Sequence, residues 1–432
     1  MRIVNPTPFK LEMVPTEVPA QGRASTIVLK GTFELRNGAA CVPAGDQDQI
    51  ADDKTHLDDL GRSLAWAGDR APLKPRSDFY ILGAFHQPGG IAAPVGEASF
   101  QFGPLAKRLV FHGPRLAQRR PDGGWWVGPA APVRSVPLRW ELSFGGLDDP
   151  RNPMGLGLDP VRLPDGSEAI PLPQIEDPRA LLHSPQDRSR PANFAPVPPN
   201  FQERLRKRGT YDRRWQVFRA PLPPLDFDPS LYNAAPEDQQ AGNFPRGDEP
   251  LVLLNLHPSI PELTTRLPGL HPRIGVLRPG EEGLVAEEVA MNLDTVVALP
   301  DRDRLVLVWR SATTVPDRSG LDWLELRMEA LDGEPEPFAA MAQRMLQAYK
   351  ATLPKEPPAA ASAKAEAEAA EDLEAATAET LAETRKLLAT AQLPPAVRQA
   401  VDAETDPEVL YGVLDKHLDE LLADLQRQYP TE

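Results

Sequence analysis

Between Pro191 and Glu249 the chain carries ten prolines and eight aromatic residues, in the run PANFAPVPPNFQERLRKRGTYDRRWQVFRAPLPPLDFDPSLYNAAPEDQQAGNFPRGDE. Proline fixes φ and removes a backbone donor, so the interior of a sheet is not built from such a stretch. A disordered linker is equally excluded, because linkers are poor in large rings that gain by leaving water. What remains is an ordered, irregular segment whose rings plug into a scaffold made by the rest of the chain. Within it only Phe201–Gly209 reads as a short helix, ended by glycine.

The scaffold reads as β. Proline makes up 50 of the 432 residues, more than twice the usual share of about 5 %, and the excess is spread over the whole chain, as turns and edge strands require. In STIVLKGTFELRN the apolar positions Ile27, Leu29, Phe33 and Leu35 alternate with Lys30, Thr32 and Glu34, which places the second set towards water. Residues 44–76 read as a polar, solvated loop with aspartates grouped around His56. Strands are expected at 78–90, 98–103, 107–112 and 124–127. The segment VRSVPLRWELSFGG at 133–146 has the cleanest alternation of all, through Val136, Leu138, Trp140, Leu142 and Phe144. Loops fill 147–190. Beyond the proline-rich segment, strands return at 250–258 and 273–277, then as a hairpin at 294–300 and 304–310, and finally at 321–331. The pattern is that of a mainly-β body, a β-sandwich or open barrel of many short strands with long ordered proline-rich loops, and a small α-helical C-terminal region.

That body occupies 1–333. A helix is expected at 334–353, with Phe338, Met341, Met345, Leu346 and Tyr349 on one face. A linker at 354–370 leads to an acidic helical hairpin at 371–432, whose second helix has Asp406 as N-cap and Pro407 at its first position. Residues 355–432 carry 7 Lys and Arg against 17 Asp and Glu, and so hold ten of the chain's fifteen net negative charges.

Charge and composition exclude several classes. Without a basic surface, nucleic acid and anionic membranes are poor partners; the local run QERLRKRGTYDRR at 202–214 reads as a solvated helix face. No apolar run of about 18 residues occurs, and the first residues lack the apolar core of a signal peptide, so a cytoplasmic protein without membrane insertion is expected. A single cysteine, Cys41, leaves no internal disulfide and no multi-cysteine zinc site.

Catalytic motifs are missing: there is no phosphate-binding GxxxxGK[ST], no HExxH, no CxxC and no Gly-x-Ser-x-Gly elbow. The acidic residues at 46–59 have hard-cation chemistry but not the spacing of a calcium loop. His86 and His112, on or beside strands, would need an aspartate to form an acid–base site. Glu237 with Asp238, and Asp248 with Glu249, are paired carboxylates of the kind glycosidases use, though such pairs more often cap turns. No catalytic, cofactor or metal role is assigned to any residue. The rings and amides of 191–244 suit recognition better, since rigid loops lose little entropy on binding and Tyr and Trp make good anchors. Phe194, Tyr211, Trp215, Tyr232 and Asn233 are the candidates, either for contacting a partner or for locking the segment onto the body.

The motifs PANFAPVPPNF (191–201), GTYDRRW (209–215), DFDPSLYNAAPEDQ (226–239), GDEPLVLLNLHP (247–258) and MNLDTVVALPDRDRLVLVWRS (291–311) occur here in order. In them the chain resembles the family named domain of unknown function 2169, found in bacteria beside type VI secretion genes, over roughly residues 1–345. The resemblance implies a non-enzymatic adaptor or chaperone that binds a type VI effector protein and loads it onto VgrG- and PAAR-type spike proteins. The alternatives that the residues leave open are a β-rich hydrolase and a carbohydrate-binding module.

Overall fold

The computed structural model describes residues 1–18, 22–120, 122–281, 283–353 and 398–399. Thirteen strands carry the architecture: β1 (Arg2–Val4), β2 (Lys10–Val18), β3 (Gly22–Glu34), β4 (Ser77–Ile81), β5 (Val95–Phe102), β6 (Leu105–His112), β7 (Pro250–Leu254), β8 (Glu262–Arg266), β9 (Leu270–Gly280), β10 (Gly283–Val289), β11 (Met291–Leu299), β12 (Arg304–Ser311) and β13 (Trp323–Ala330). Three helices are added: α1 (Gln202–Leu205), α2 (Arg213–Phe218) and α3 (Phe338–Thr352). The fold is mainly β, with many short strands in several open sheets and no closed barrel among the described residues.

The main sheet has the order Gln240–Ala241, then β4–β11–β12–β3–β2. Its centre is the β11–β12 hairpin, expected at 294–300 and 304–310 and turned by Pro300–Arg302 with Asp303 in the left-handed region. β4 runs parallel to β11, pairing Asp78 with Thr295, and every other neighbour is antiparallel. A second, antiparallel sheet orders Ile175–Glu176, then β6–β5–β7–β8. The two sheets share one core, where Phe79 of the first meets Phe100 and Phe102 of the second at ring-centroid separations of 4.7 and 4.8 Å. A third sheet, β1–β13–β9–β10, carries α3. Met341 and Met345 of that helix are buried against Leu277 and Trp323, with Phe338, Leu346 and Tyr349 beside them, along the stripe expected from spacing. The unit so formed spans Met1–Ala351. The expected linker at 354–370 and acidic hairpin at 371–432 lie outside the described residues, apart from 398–399.

Three expectations fail, each for a physical reason. Lys30 and Thr32 do not face water; both are 2 % exposed. The main sheet is covered on its second face too, by residues 50–76, which form an ordered cap rather than a solvated loop: Ile50, Leu64 and Ala67 pack on a sheet face made by Val28, Tyr80, Val297, Val306 and Val308. Lys30 is accommodated there by Asp69, at 2.8 Å, and by the Trp66 ring, 4.0 Å from its Nζ. The segment 133–146 is not one strand. Ser135–Pro137 and Phe144–Gly145 are separate short strands, Val133 and Ser143 make isolated bridges, and Trp140–Leu142 is a 3-10 turn held by the Asn152 amide, which donates to the carbonyls of Trp140 and Phe144. The apolar side chains are still inward, so alternation reported burial and not pairing. Finally, α2 was not legible: Asp212 caps it by accepting from Trp215 N at 2.7 Å, a signal hidden among arginines.

Candidate functional site

Residues 191–197 thread between the sheets as a plug. Ile81 N donates to Phe194 O, Lys107 Nζ to Asn193 O, Trp140 Nε1 to Pro196 O and Ser143 Oγ to Ala192 O. The Phe194 ring is wholly buried against Phe100 and Phe111. Further on, Asn233 donates to Arg76 O at 2.8 Å and to Asp78 Oδ1 at 2.9 Å, and Ala234 N donates to Asp78 Oδ2 at 2.9 Å. Asp78 also accepts from Lys74 Nζ at 2.8 Å. This buried carboxylate thus ties the proline-rich segment to the strand at one side of the main sheet, with a lysine to neutralise it. Of the five candidate residues, Phe194 and Asn233 therefore hold the segment in place and face no solvent. Sequence reasoning missed Asp78 and Lys74, the groups that receive Asn233.

The other three lie together outside the plug. Between the two anchor regions the chain leaves the body as a lobe, residues 205–228, built from α2 and proline turns. Thr210 donates through both N and Oγ1 to Asp226, which holds that carboxyl below the usual aspartate range. Trp215 Nε1 donates to Leu222 O at 2.8 Å, and Tyr211 packs edge-on to Trp215 at 4.6 Å. Gly209, at φ +77°, turns the chain from α1 into the lobe. No residue of α2 is buried. Tyr211 is 50 % exposed, Phe218 70 % and Leu225 87 %, with Leu205 and Val217 exposed as well. Five large apolar side chains are thus exposed within residues 205–225.

At the base of the lobe is a cleft of about 660 Å³ between the segment and the cap. Pro199, Asn200, Arg204, Arg208, Leu231 and Tyr232 line one side and Asp52, Asp53, Gly68 and Arg70 the other. Tyr232 packs on Phe227, and burial raises its phenol pKa, followed by the nearby Tyr211. Tyr211, Trp215 and Tyr232 thus belong to one neighbourhood, the lobe and its base.

Of the acid–base candidates His86 finds an aspartate, but His112 does not join it. His86 Nε2 meets Asp301 at 2.7 Å, and His257 Nε2 meets Asp303 at 2.8 Å, both beside a cleft of about 270 Å³. Ser259 Oγ lies 3.4 Å from His257 Nδ1, but that nitrogen already accepts from the backbone N–H of Ser259 and Ile260, so it has no lone pair free to act as a base. His112 sits elsewhere, buried beside Arg115 and Glu176. Asp238 pairs with Lys107, and Glu249 accepts from two turn N–H groups, so one member of each carboxylate pair is engaged within the fold. The aspartates at 46–59 are likewise engaged, Asp46 by Arg304, Asp52 by Arg70 and Asp53 by Gly68 N. No group of three or more metal-ligating side chains occurs among the described residues. No helix among them is long and apolar enough to cross a membrane.

The model of a family described as "Uncharacterized protein conserved in bacteria (DUF2169)" matches residues 21–310. The chain belongs to the DUF2169 family. The matched range takes in the main sheet from β3 to β12, the cap, the plug and the lobe, and it ends before β13 and α3. No curated protein and no solved structure matches the chain.

Proposed function

We propose that this DUF2169 protein is a non-enzymatic adaptor that binds a type VI secretion effector in the cytoplasm and helps to load it onto VgrG- and PAAR-type spike proteins. The observation that carries the reading is the lobe: a rigid body with deep anchors presents Tyr211, Val217, Phe218 and Leu225 to solvent on a protrusion of its own. Anchored, proline-stiffened elements lose little freedom on binding, which suits repeated capture and release. The secretion context comes from the motif resemblance. Deleting the gene is expected to remove one effector from the secreted fraction while the spike proteins are still secreted, and a plasmid copy is expected to restore it. Unchanged secretion of every effector would overturn the proposal.

One observation favours a second reading, a carbohydrate-binding module. Trp126, 44 % exposed, lines a groove of about 460 Å³ with Gln118, Gln174 and Arg115, a ring platform beside planar polar groups. A glycan array separates the two: a hit lost on Trp126→Ala supports the module, and no hit leaves the adaptor.

A further inference from the structure

We infer that the cleft at the base of the lobe takes an acidic, apolar polypeptide segment of the partner, with a carboxylate of that segment received by Arg204 and Arg208. The inference rests on the adaptor reading and adds the chemistry of what is bound.

Arg204 is 7 % exposed and lines the cleft. Its Nε donates to Leu231 O at 3.0 Å and its Nη1 to Val197 O at 2.9 Å, leaving the Nη2 donors for the cleft. Among the described residues it makes no ion pair, although a buried charge without a counter-charge is costly. Burial lowers its pKa, against which Asp53, Asp78 and Glu203 act from longer range. Every other deeply buried cation of the body has a carboxylate: Lys30 has Asp69, Lys74 has Asp78 and Arg310 has Asp294. Arg208, exposed on the same side, also makes no ion pair among the described residues and lies over the Tyr211 ring. Among the described residues no carboxylate of the opposite wall pairs directly with either arginine, and Asp53 acts on Arg204 only from longer range. Asp52 is bound by Arg70, which is held by Glu12 as well, and Asp53 accepts from Gly68 N.

The surroundings specify the rest. From 202 to 219 there are seven Arg and Lys against Glu203 and Asp212, and none of the seven makes an ion pair among the described residues. Interleaved with them are the exposed Leu205, Tyr211, Val217 and Phe218. A ligand complementary to both needs acidic and apolar residues together. A nucleic acid fits less well, because it carries a charge at every residue past Asp52 and Asp53 on the cleft wall and Asp226 in the lobe, whereas a peptide can meet Arg204 and Arg208 with a single carboxylate and offer backbone N–H groups to Asp53.

The test is fluorescence anisotropy on the full chain, with a fluorescein-labelled peptide of alternating glutamate and leucine as probe. The counterpart with glutamine for glutamate and a single-stranded oligothymidylate serve as controls. The acidic probe is expected to bind, to be weakened by salt, and to lose about tenfold in affinity on Arg208→Glu, a substitution at an exposed site whose folding is checked by thermal melting. Arg204→Met, checked for folding by its denaturation midpoint, is expected to lose at least as much. Equal binding of the glutamine peptide, tighter binding of the oligothymidylate, or indifference to Arg208→Glu would each overturn the inference. If the probe fails while the wild-type chain still recovers an effector from its native cells, the inference falls and the adaptor reading stands. If the probe binds as expected and no effector is recovered, the surface stands and the adaptor reading falls.

Discussion

Asn233 is buried, and its amide makes two hydrogen bonds to the start of β4. Asn233→Ala leaves the Arg76 carbonyl and the Asp78 carboxylate each short of a partner, so a loss of about 2 kcal/mol is expected in the denaturant midpoint. Tyr232→Ala, next to it but half-buried, is expected to cost less. A second residue reports through pH. Burial, reinforced by the Arg115 charge, lowers the pKa of His112 to about 4. Glu176 lies 3.8 Å away but is already paired with Arg115, so the imidazole stays neutral in the fold. Because the folded pKa is below the unfolded value of about 6.5, the contribution to stability is complete above pH 6.5 and is lost as pH falls towards 4. The loss is on the order of 3 kcal/mol. Chemical denaturation at pH 7 and at pH 4.5 is expected to show that drop, and His112→Leu to reduce it; an equal drop in both would contradict the assignment. Neither role was legible beforehand. The identity of a polar residue does not tell whether a distant segment will cover it, and Lys30, polar by type and buried by the cap, is the plainest case.

At the scale of elements, α3 was legible because Phe338, Met341, Met345 and Tyr349 repeat at helical spacing, and those side chains do meet the third sheet. Met345 is fully buried there and lies over Gly275, where an added Cβ would come within 2.6 Å of its sulfur. Met345→Ala is expected to destabilise by about 2–5 kcal/mol by opening a cavity against β9, with thermal unfolding as the check. The β11–β12 hairpin was equally plain, since VVALP and LVLVW flank a polar turn. Their unbroken apolar runs were also a sign of a strand buried on both faces, and the cap at 50–76 supplies the second cover. The 133–146 segment shows the limit of alternation: inward side chains at every second position are compatible with a 3-10 turn once Asn152 holds the freed carbonyls. The short α2 depends on one cap and on turns made by Pro221, Pro223 and Pro224, which propensity alone does not order.

At the scale of the whole molecule, the segment 191–249 does two jobs that its composition announced as one. Its ends are structural, through Phe194 in the shared core and Asn233 on Asp78. Its middle projects as a lobe with exposed rings and with arginines that make no ion pair among the described residues. The sequence showed that the rings were too many for a linker, but their division into plug and lobe depends on which of them reach Phe100, Phe111 and the buried carboxylate, and that is set by tertiary contacts. The lobe is therefore where the adaptor account stands or falls. The most direct measurement is affinity purification of the full chain from its native cells, with bound proteins identified by mass spectrometry, beside a form carrying Phe218→Ser and Leu225→Ser. Both substitutions are at exposed sites, so folding is expected to be unchanged and is checked by thermal melting. A toxin-like effector or spike component recovered with the unaltered chain and lost with the altered lobe is the expected result. Equal recovery with both would place binding elsewhere on the body, and no such protein with either would contradict the adaptor function itself.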